Sequence, residues 1–185
     1  SDWPTYRHDR LRSGATTTTL PTELEHTWRA DLGGRLSAVT VADGKCFVVS
    51  VDTHTVHAID AATDEPVWSF TAGGRVDTPP TIAAGLAVFG SADGYVYCVC
   101  VADGRLAWRY LVAPAHKRIV SYQQLESAWP VSGSVLIYDD VVYALAGRNM
   151  FFDGGLRLVR LDPASGKLLS ENGMDSRDPR PGQSL

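Results

Sequence analysis

The chain has 185 residues, 44% of them apolar and 21% charged, and a formal net charge of −4 at pH 7. These values are ordinary for a folded globular protein. Nucleic-acid-binding surfaces are usually basic, and no long block of lysine and arginine occurs here, so no nucleic-acid partner is expected. No run of about 18 apolar residues is present, so no membrane-spanning helix is expected either.

The N-terminal segment, residues 1–35, contains one predicted strand, which ends at Trp28. Tryptophan then recurs at an interval of 40 residues, at Trp68 and Trp108. The sequence LGGRL, which precedes the first full unit, returns as AGGRV before the second. Self-similarity with a period of about 40 residues indicates a repeat architecture.

Two repeat units follow, at residues 36–75 and 76–113. Each contains four short runs rich in valine, isoleucine and aromatic residues, and such runs predict β-strands. The breaks between them, such as ADG and SADG, are tight-turn sequences that leave no room for crossover helices. The units therefore predict two four-stranded antiparallel blades of a β-propeller.

A third unit, residues 114–171, carries 22 extra residues, because Ser170, at the tryptophan position, follows Trp108 by 62 residues and not by 40. The additional residues fall in PAHKRIVSYQQLESAWP, before its first strand, and in GRNMFFDGG, within it. Residues 172–185, which have no strand signal, form a polar tail or the start of the next connection.

The two inserts supply the candidate binding residues, because function concentrates in loops on a rigid scaffold. Mixed aromatic and charged side chains favour a ligand pocket. The alternative is that both inserts only pack over the end of the propeller. The candidates are Glu126, Trp129, Arg148, Asn149 and Asp153.

The sequence shows no catalytic constellation and no metal site. No Ser-His-Asp spacing, phosphate loop or His-x-x-x-His pair occurs, so the catalytic residues stay unknown. The cysteines are Cys46, Cys98 and Cys100. The last two lie two apart on a predicted strand, which places them poorly for a disulfide and favours small buried apolar residues.

The stretch AxDxxTDxxxW at residues 58–68 resembles the tryptophan-docking motif of the PQQ-like, or quinoprotein-type, β-propeller repeats. Residues 98–108 and 160–170 are imperfect copies, and the third has Ser170 at the tryptophan position. In such blades the tryptophan packs between neighbours, and the aspartate-to-glycine stretch turns into the outer strand. The resemblance assigns blade docking to Trp28, Ala58, Asp60, Trp68, Gly104, Trp108, Asp162 and Gly166.

This resemblance implies an all-β fold, present here as an N-terminal fragment of about three blades. Propellers close with about 4–8 blades, so the remaining blades of the same protein, or another copy, would be the partners. The strand ending at Trp28 would complete the last blade. Longer stretches, such as DWPTYRHDRLRSGAT, resemble PQQ-binding-like repeat proteins of planctomycete-type bacteria.

The resemblance implies a binding or scaffold module of a larger periplasmic, or otherwise extracytoplasmic, bacterial protein. One alternative is part of a PQQ-dependent quinoprotein oxidoreductase of the alcohol dehydrogenase type. Another is a propeller similar to an outer-membrane assembly factor. This chain lacks the adjacent cysteine pair of quinoproteins, so no cofactor is expected in it, and PQQ and calcium would belong to the full-length protein.

Overall fold

Three four-stranded antiparallel sheets form most of the computed structural model, which describes residues 2–19 and 21–176. The described residues contain no helix. In each sheet the strands lie in chain order, and short turns join all neighbours except the two central strands of the third sheet. The predictions of an all-β fold and of propeller blades are confirmed.

Blade one consists of strands with short apolar stretches on their buried faces. Its inner strand is short, and its outer strand is the most exposed of the four. The strands are β1 (Thr40–Ala42), β2 (Lys45–Ser50), β3 (Thr55–Asp60) and β4 (Pro66–Thr71).

Blade two repeats this arrangement with a more thoroughly buried pair of central strands. The strands are β5 (Thr81–Ala83), β6 (Leu86–Gly90), β7 (Tyr95–Cys100) and β8 (Leu106–Leu111).

The first insert folds as a two-stranded hairpin, which the sequence analysis had treated as a loop. Strands β9 (Arg118–Ser121) and β10 (Gln124–Ser127) pair in antiparallel register. Their turn residues, Tyr122 and Gln123, both have positive φ, at 49° and 61°. Two-residue hairpin turns of this kind usually contain asparagine, aspartate or glycine, so the sequence carried no hairpin signal here.

Blade three follows the hairpin and contains the second insert between its two central strands. Its strands are β11 (Leu136–Tyr138), β12 (Val141–Ala146), β13 (Leu156–Leu161) and β14 (Leu168–Met174).

The three blades share one irregularity at the same place. The register shifts at Ala58/Ile59, at Cys98/Val99 and at Arg160/Leu161, each time near the end of the third strand. Such a bulge bends the strand and increases its twist. Its recurrence shows that the repeat extends to backbone detail.

Two apolar clusters join the blades. Phe47 of blade one packs near Phe89 and Tyr97 of blade two, whose rings stack with centroids 5.7 Å apart. The second cluster joins blade two, through Trp108, to blade three, through Leu161. Blade two therefore contributes to both clusters. Within the described residues the three sheets do not close into a ring.

The repeat tryptophans reach the next blade through equivalent hydrogen bonds. Each indole Nε1 donates to a carbonyl oxygen in or beside the turn between the last two strands of that blade. Trp108 is buried, whereas the other two are half-buried. The bonds run from Trp28 to Ala61 at 2.9 Å, from Trp68 to Val101 at 2.9 Å and from Trp108 to Pro163 at 2.8 Å.

Residues 22–32 contain no assigned strand. The predicted outer strand ending at Trp28 needs partner strands outside the described blades, so it stays a prediction. Most of the predicted polar tail, from residue 177 onward, lies outside the described residues. Its first residues, up to Met174, belong to β14.

The N-terminal segment crosses the inner strands of all three blades. Trp3 forms a bridge with Val41 on β1, and the carbonyl of Pro4 accepts from the amide of Ile82 on β5 at 2.7 Å. Arg12 reaches the carbonyl of Val135, just before β11, at 3.4 Å. This segment therefore contacts every blade.

Candidate functional site

A cleft of about 450 Å³ opens at one end of the sheets, between equivalent positions of the three blades. Arg35, Arg75 and Pro130 line it, and each stands shortly before the inner strand of its blade. Each carbonyl accepts a hydrogen bond from the segment after the second strand of the same blade. The donors are the amides of Val51, Ala92 and Gly147.

Arg75 is the most buried cation of the cleft, with 4% of its surface exposed. Its Nε donates to Asp77 Oδ1 at 2.7 Å, its Nη2 donates to Asp77 Oδ2 at 3.2 Å, and its Nη1 donates to Glu126 Oε1. Burial alone would lower the pKa of Arg75, but its bonds to the two carboxylates outweigh burial and raise that pKa. The guanidinium is therefore a fixed positive charge.

Glu126 lies beneath the cleft and is 1% exposed. While Oε1 accepts from Arg75, Oε2 accepts from Arg148 Nη2 at 2.6 Å. A buried carboxylate is costly unless it is paired and hydrogen-bonded, and both oxygens meet this condition. We call these three residues the ionic array. It connects the start of blade two, the hairpin and the second insert.

The hairpin covers one side of the cleft. The ring of Tyr122 lies 4.4 Å from Arg75 Cζ, within the range of a cation–π contact. Gln124 continues across to blade one, where its Oε1 lies 2.8 Å from His54 Nε2 and its Nε2 donates to the carbonyl of Asp52. The hairpin thus contacts blade one as well as the cleft.

The five predicted binding residues separate into two groups. Arg148 lines the cleft, with Glu126 beneath it. The other three stabilise the inserts: Trp129 joins the apolar cluster and donates to the carbonyl of Asp153 in the second insert at 2.8 Å, the Asp153 carboxylate pairs with Lys117 of the first insert, and Asn149 accepts the amides of the next turn. Whether any of the five binds a ligand stays a prediction.

Most of the residues that line this cleft were not predicted from the sequence. Arg35 and Arg75 had a signal, because both end the recurring GGR of LGGRL and AGGRV. Tyr122 had none, since its proximity to Arg75 depends on how the hairpin folds back, and Asp77, two positions after Arg75, lies outside the recurring stretch.

Neither metal ligation nor thiol chemistry stands out in the described part of the chain. No group of three or more histidine, cysteine or acidic residues there could hold a metal ion. Burial, followed by the charge of Cys100, raises the pKa of Cys98 to about 12, so this thiol keeps its proton. In the same residues no helix is long and apolar enough to span a membrane.

The repeated blades define the chain as a β-propeller repeat protein. The family model described as outer membrane protein assembly factor BamB matches residues 23–182. Because this match covers most of the sequence, the chain belongs to that family of PQQ-like repeats. No curated protein sequence matches it significantly.

Solved structures of the same fold include dehydrogenases and a BamB. The quinohemoprotein alcohol dehydrogenase of Comamonas testosteroni aligns over 93% of this chain and 27% of its own, at 18% identity and a TM-score of 0.74. A europium-containing methanol dehydrogenase aligns over 93% and 32%, at 16% identity and 0.72. BamB from Moraxella catarrhalis aligns over 79% and 51%, at 18% identity and 0.51.

These similarities define the fold. The chain spans about a quarter to a third of the length of these two dehydrogenases and about half of that BamB.

Proposed function

We propose that the chain is a binding module of a larger extracytoplasmic, periplasmic bacterial protein, and that its ligand occupies the cleft. The ionic array carries this proposal. Burying Arg75 and Glu126 contributes little net stability, but their bonds fix the guanidinium groups of Arg75 and of the more exposed Arg148 in one geometry. Equivalent positions of three blades line the cleft, as expected of a site built on a rigid repeat scaffold.

The lining of the cleft is largely charged and polar, which suits a charged small molecule. Tyr122 supplies an aromatic face, Ser132 a hydroxyl, and Arg35 a guanidinium whose side chain is 57% exposed. A volume of about 450 Å³ falls within the range of ligand pockets, which is roughly 300–1,000 Å³.

An NMR titration tests this proposal. The ¹⁵N-labelled chain is mixed in turn with amino acids, sugar acids, nucleotides and PQQ, and amide shifts are followed. We expect at least one compound to shift Arg35, Tyr122 and Arg148 together, and Arg148→Ala to abolish the shifts. Arg157→Ala is the matched control, because Arg157 pairs with Glu171 outside the cleft. No shifts at the cleft, or equal losses in both variants, would refute it.

We also propose that the repeat tryptophans dock the blades. Their three equivalent indole bonds support this role. Glycine completes two of the junctions, since a Cβ at Gly104 would lie 2.7 Å from the ring of Trp68, and one at Gly166 would lie 2.6 Å from that of Trp108. Ala58, Asp60 and Asp162 would act through the turn that receives the indole.

A second candidate function is part of a PQQ-dependent oxidoreductase, which the fold shared with the quinohemoprotein alcohol dehydrogenase favours. The described residues do not fit calcium, because the carboxylates of Asp77 and Glu126 already accept hydrogen bonds from arginine side chains. Cys98 and Cys100 are not adjacent, unlike the cysteine pair expected from the resemblance. Calorimetry with PQQ and Ca²⁺ should therefore give no micromolar binding by the 185-residue chain, and micromolar affinity would favour this candidate.

A third candidate is a role in outer-membrane assembly, which the description of the matching family favours. Such a role would use a protein-binding surface. The two inserts expose Val120, Leu125, Phe151 and Phe152, each by more than half. Charged substitutions at Phe151 and Phe152 would separate the candidates, because they should abolish binding of a protein partner but leave the NMR shifts at the cleft unchanged.

A further inference from the structure

A second cavity, of about 230 Å³, lies on the other side of the hairpin and shares no lining residue with the cleft. It opens between the ends of β7 and β8 and the segment that leads into β9. The residues that matter for its chemistry are Asp93, Tyr95, Tyr97, Arg109, Lys117 and Arg118.

The polar groups at the base of this cavity are held by hydrogen bonds. Tyr97 donates its hydroxyl to Asp93 Oδ2 at 2.5 Å and accepts from the amide of Gly73 at 3.2 Å. Burial, followed by its bond to Asp93, raises the pKa of Tyr97 to about 12, so the phenol stays a donor. The amide of Tyr95 donates to Asp93 Oδ1 at 3.1 Å. A carboxylate offers about four acceptor sites, so Asp93 can still accept from a ligand.

Gly73 is required for this arrangement. A Cβ at this position would lie 2.4 Å from Asp93 Oδ2 and 3.2 Å from the hydroxyl of Tyr97. No side chain fits there without moving the carboxylate. The backbone thus holds Asp93 at the base of the cavity.

The rim carries an excess of positive charge. Lys117 is paired with Asp153 at 2.6 Å, but Arg109 and Arg118 form no ion pair with any residue that the structure describes. The guanidinium of Arg109 lies 5.1 Å from the ring of Tyr95, which restricts its orientation. Two guanidinium groups without carboxylate partners are suited to an oxyanion, which they can bind by paired hydrogen bonds.

We propose that this cavity binds a small hydroxylated oxyanion. Arg109 and Arg118 contact its phosphate or carboxylate group, and Asp93 accepts a hydrogen bond from a neighbouring hydroxyl. The site is independent of the cleft and of whatever ligand the cleft binds. Its specificity requires both features, because the arginines select the charge and Asp93 selects the hydroxyl.

Calorimetry at low salt tests the site with three probes: glucose 6-phosphate, gluconate and glucose. We expect at least one of the two anions to bind with a Kd below about 10 mM, and glucose not to bind. The stronger of the two anions identifies the group that the arginines recognise. Arg109→Ala and Arg118→Ala should each weaken that binding about tenfold, the effect of losing one charge-assisted hydrogen bond.

Arg160→Ala is the matched control, because Arg160 is also an exposed arginine stacked on a tyrosine, 5.6 Å from the ring of Tyr143, but lies on blade three. It should leave affinity within about twofold, since it removes the same charge elsewhere. Asp93→Asn should weaken binding of the hydroxylated anion relative to inorganic phosphate, whose binding should be unchanged or stronger because a negative charge is removed from the cavity. The proposal is overturned if neither anion binds, if glucose binds equally well, or if Arg160→Ala matches Arg109→Ala.

Discussion

The junctions between blades and the cleft at their end are held together by opposite means. At the junctions an indole lies on a glycine turn inside an apolar cluster, as Trp108 does on Gly166. At the cleft the contacts are between charges, centred on the buried Glu126. Apolar burial stabilises in proportion to the area removed from water, whereas a buried ion pair must first offset the loss of hydration. The junctions should therefore determine stability, and the ionic array should determine geometry.

The largest expected effect is on the junction between blades two and three. Trp108→Ala should lower the free energy of unfolding by about 4 kcal/mol, because it removes a buried ring and leaves a cavity. Urea denaturation followed by far-UV circular dichroism measures this. Leu106→Ala is the control, since Leu106 lies on the same strand but is 46% exposed, and it should cost less than about 1 kcal/mol. Equal losses would show that Trp108 has no special role at the junction.

The next effect is on the ionic array. Glu126→Gln should lower the free energy of unfolding by about 3 kcal/mol, because it leaves Arg148 without a carboxylate and Arg75 with only Asp77. Arg148→Ala should cost less, about 1 kcal/mol, since Glu126 keeps its bond to Arg75. The same denaturation experiment measures both variants. A larger loss for Arg148→Ala than for Glu126→Gln would contradict this arrangement.

A smaller effect isolates the contact between glycine and tryptophan. Gly104→Ala should cost about 2 kcal/mol, because φ is +71° and the new Cβ would lie 2.7 Å from the ring of Trp68. Gly85→Ala is matched to it, with φ of +75° and no atom within 4 Å, and should cost only about 1 kcal/mol. Thermal unfolding compares the two. Equal costs would mean that the indole contributes nothing to the requirement for glycine.

The smallest effect concerns acid stability of the turns that receive the indoles. The amides of Ala62 and Thr63 lower the pKa of Asp60, and the hydroxyl and amide of Ser165 lower that of Asp162. A folded pKa below the unfolded one means that this stabilisation is present above the unfolded pKa, about 3.9, and is lost as pH falls through the folded value.

A ¹³C titration of the side-chain carboxyls should place both midpoints below 3.8, the ordinary value. Asp60→Asn should make stability less dependent on pH in that range. Midpoints at or above 3.8 would contradict the capping role of these aspartates.

Repetition made the blades predictable from sequence. The tryptophan interval, together with turns such as Asp43-Gly44, whose φ angles are +51° and +70°, located the strands of blades one and two. The hairpin was missed because Tyr122 and Gln123 are unusual at positive φ. The path of the N-terminal segment across three inner strands had no local signal either.

The cleft and its ionic array were only partly predictable from the sequence, because they depend on contacts between residues far apart in the chain. Glu126 and Arg148 lie in inserts, where charged residues among aromatics suggested a pocket. Arg75 lies 51 positions from Glu126, and no local pattern records an ion pair over that distance. Asn149 and Asp153 were included because they are polar residues in a loop, but in the structure Asn149 shapes that loop and Asp153 connects it to the first insert.

The arginine side-chain signals in a ¹H–¹⁵N spectrum test the central claim, that the ionic array fixes the cleft, most directly. We predict that the guanidinium protons of Arg75 and Arg148 exchange slowly with solvent, and that Glu126→Gln shifts both sets together. If the guanidinium of Arg148 exchanges as fast as that of the exposed Arg160 and does not respond to Glu126→Gln, the array does not hold the cleft.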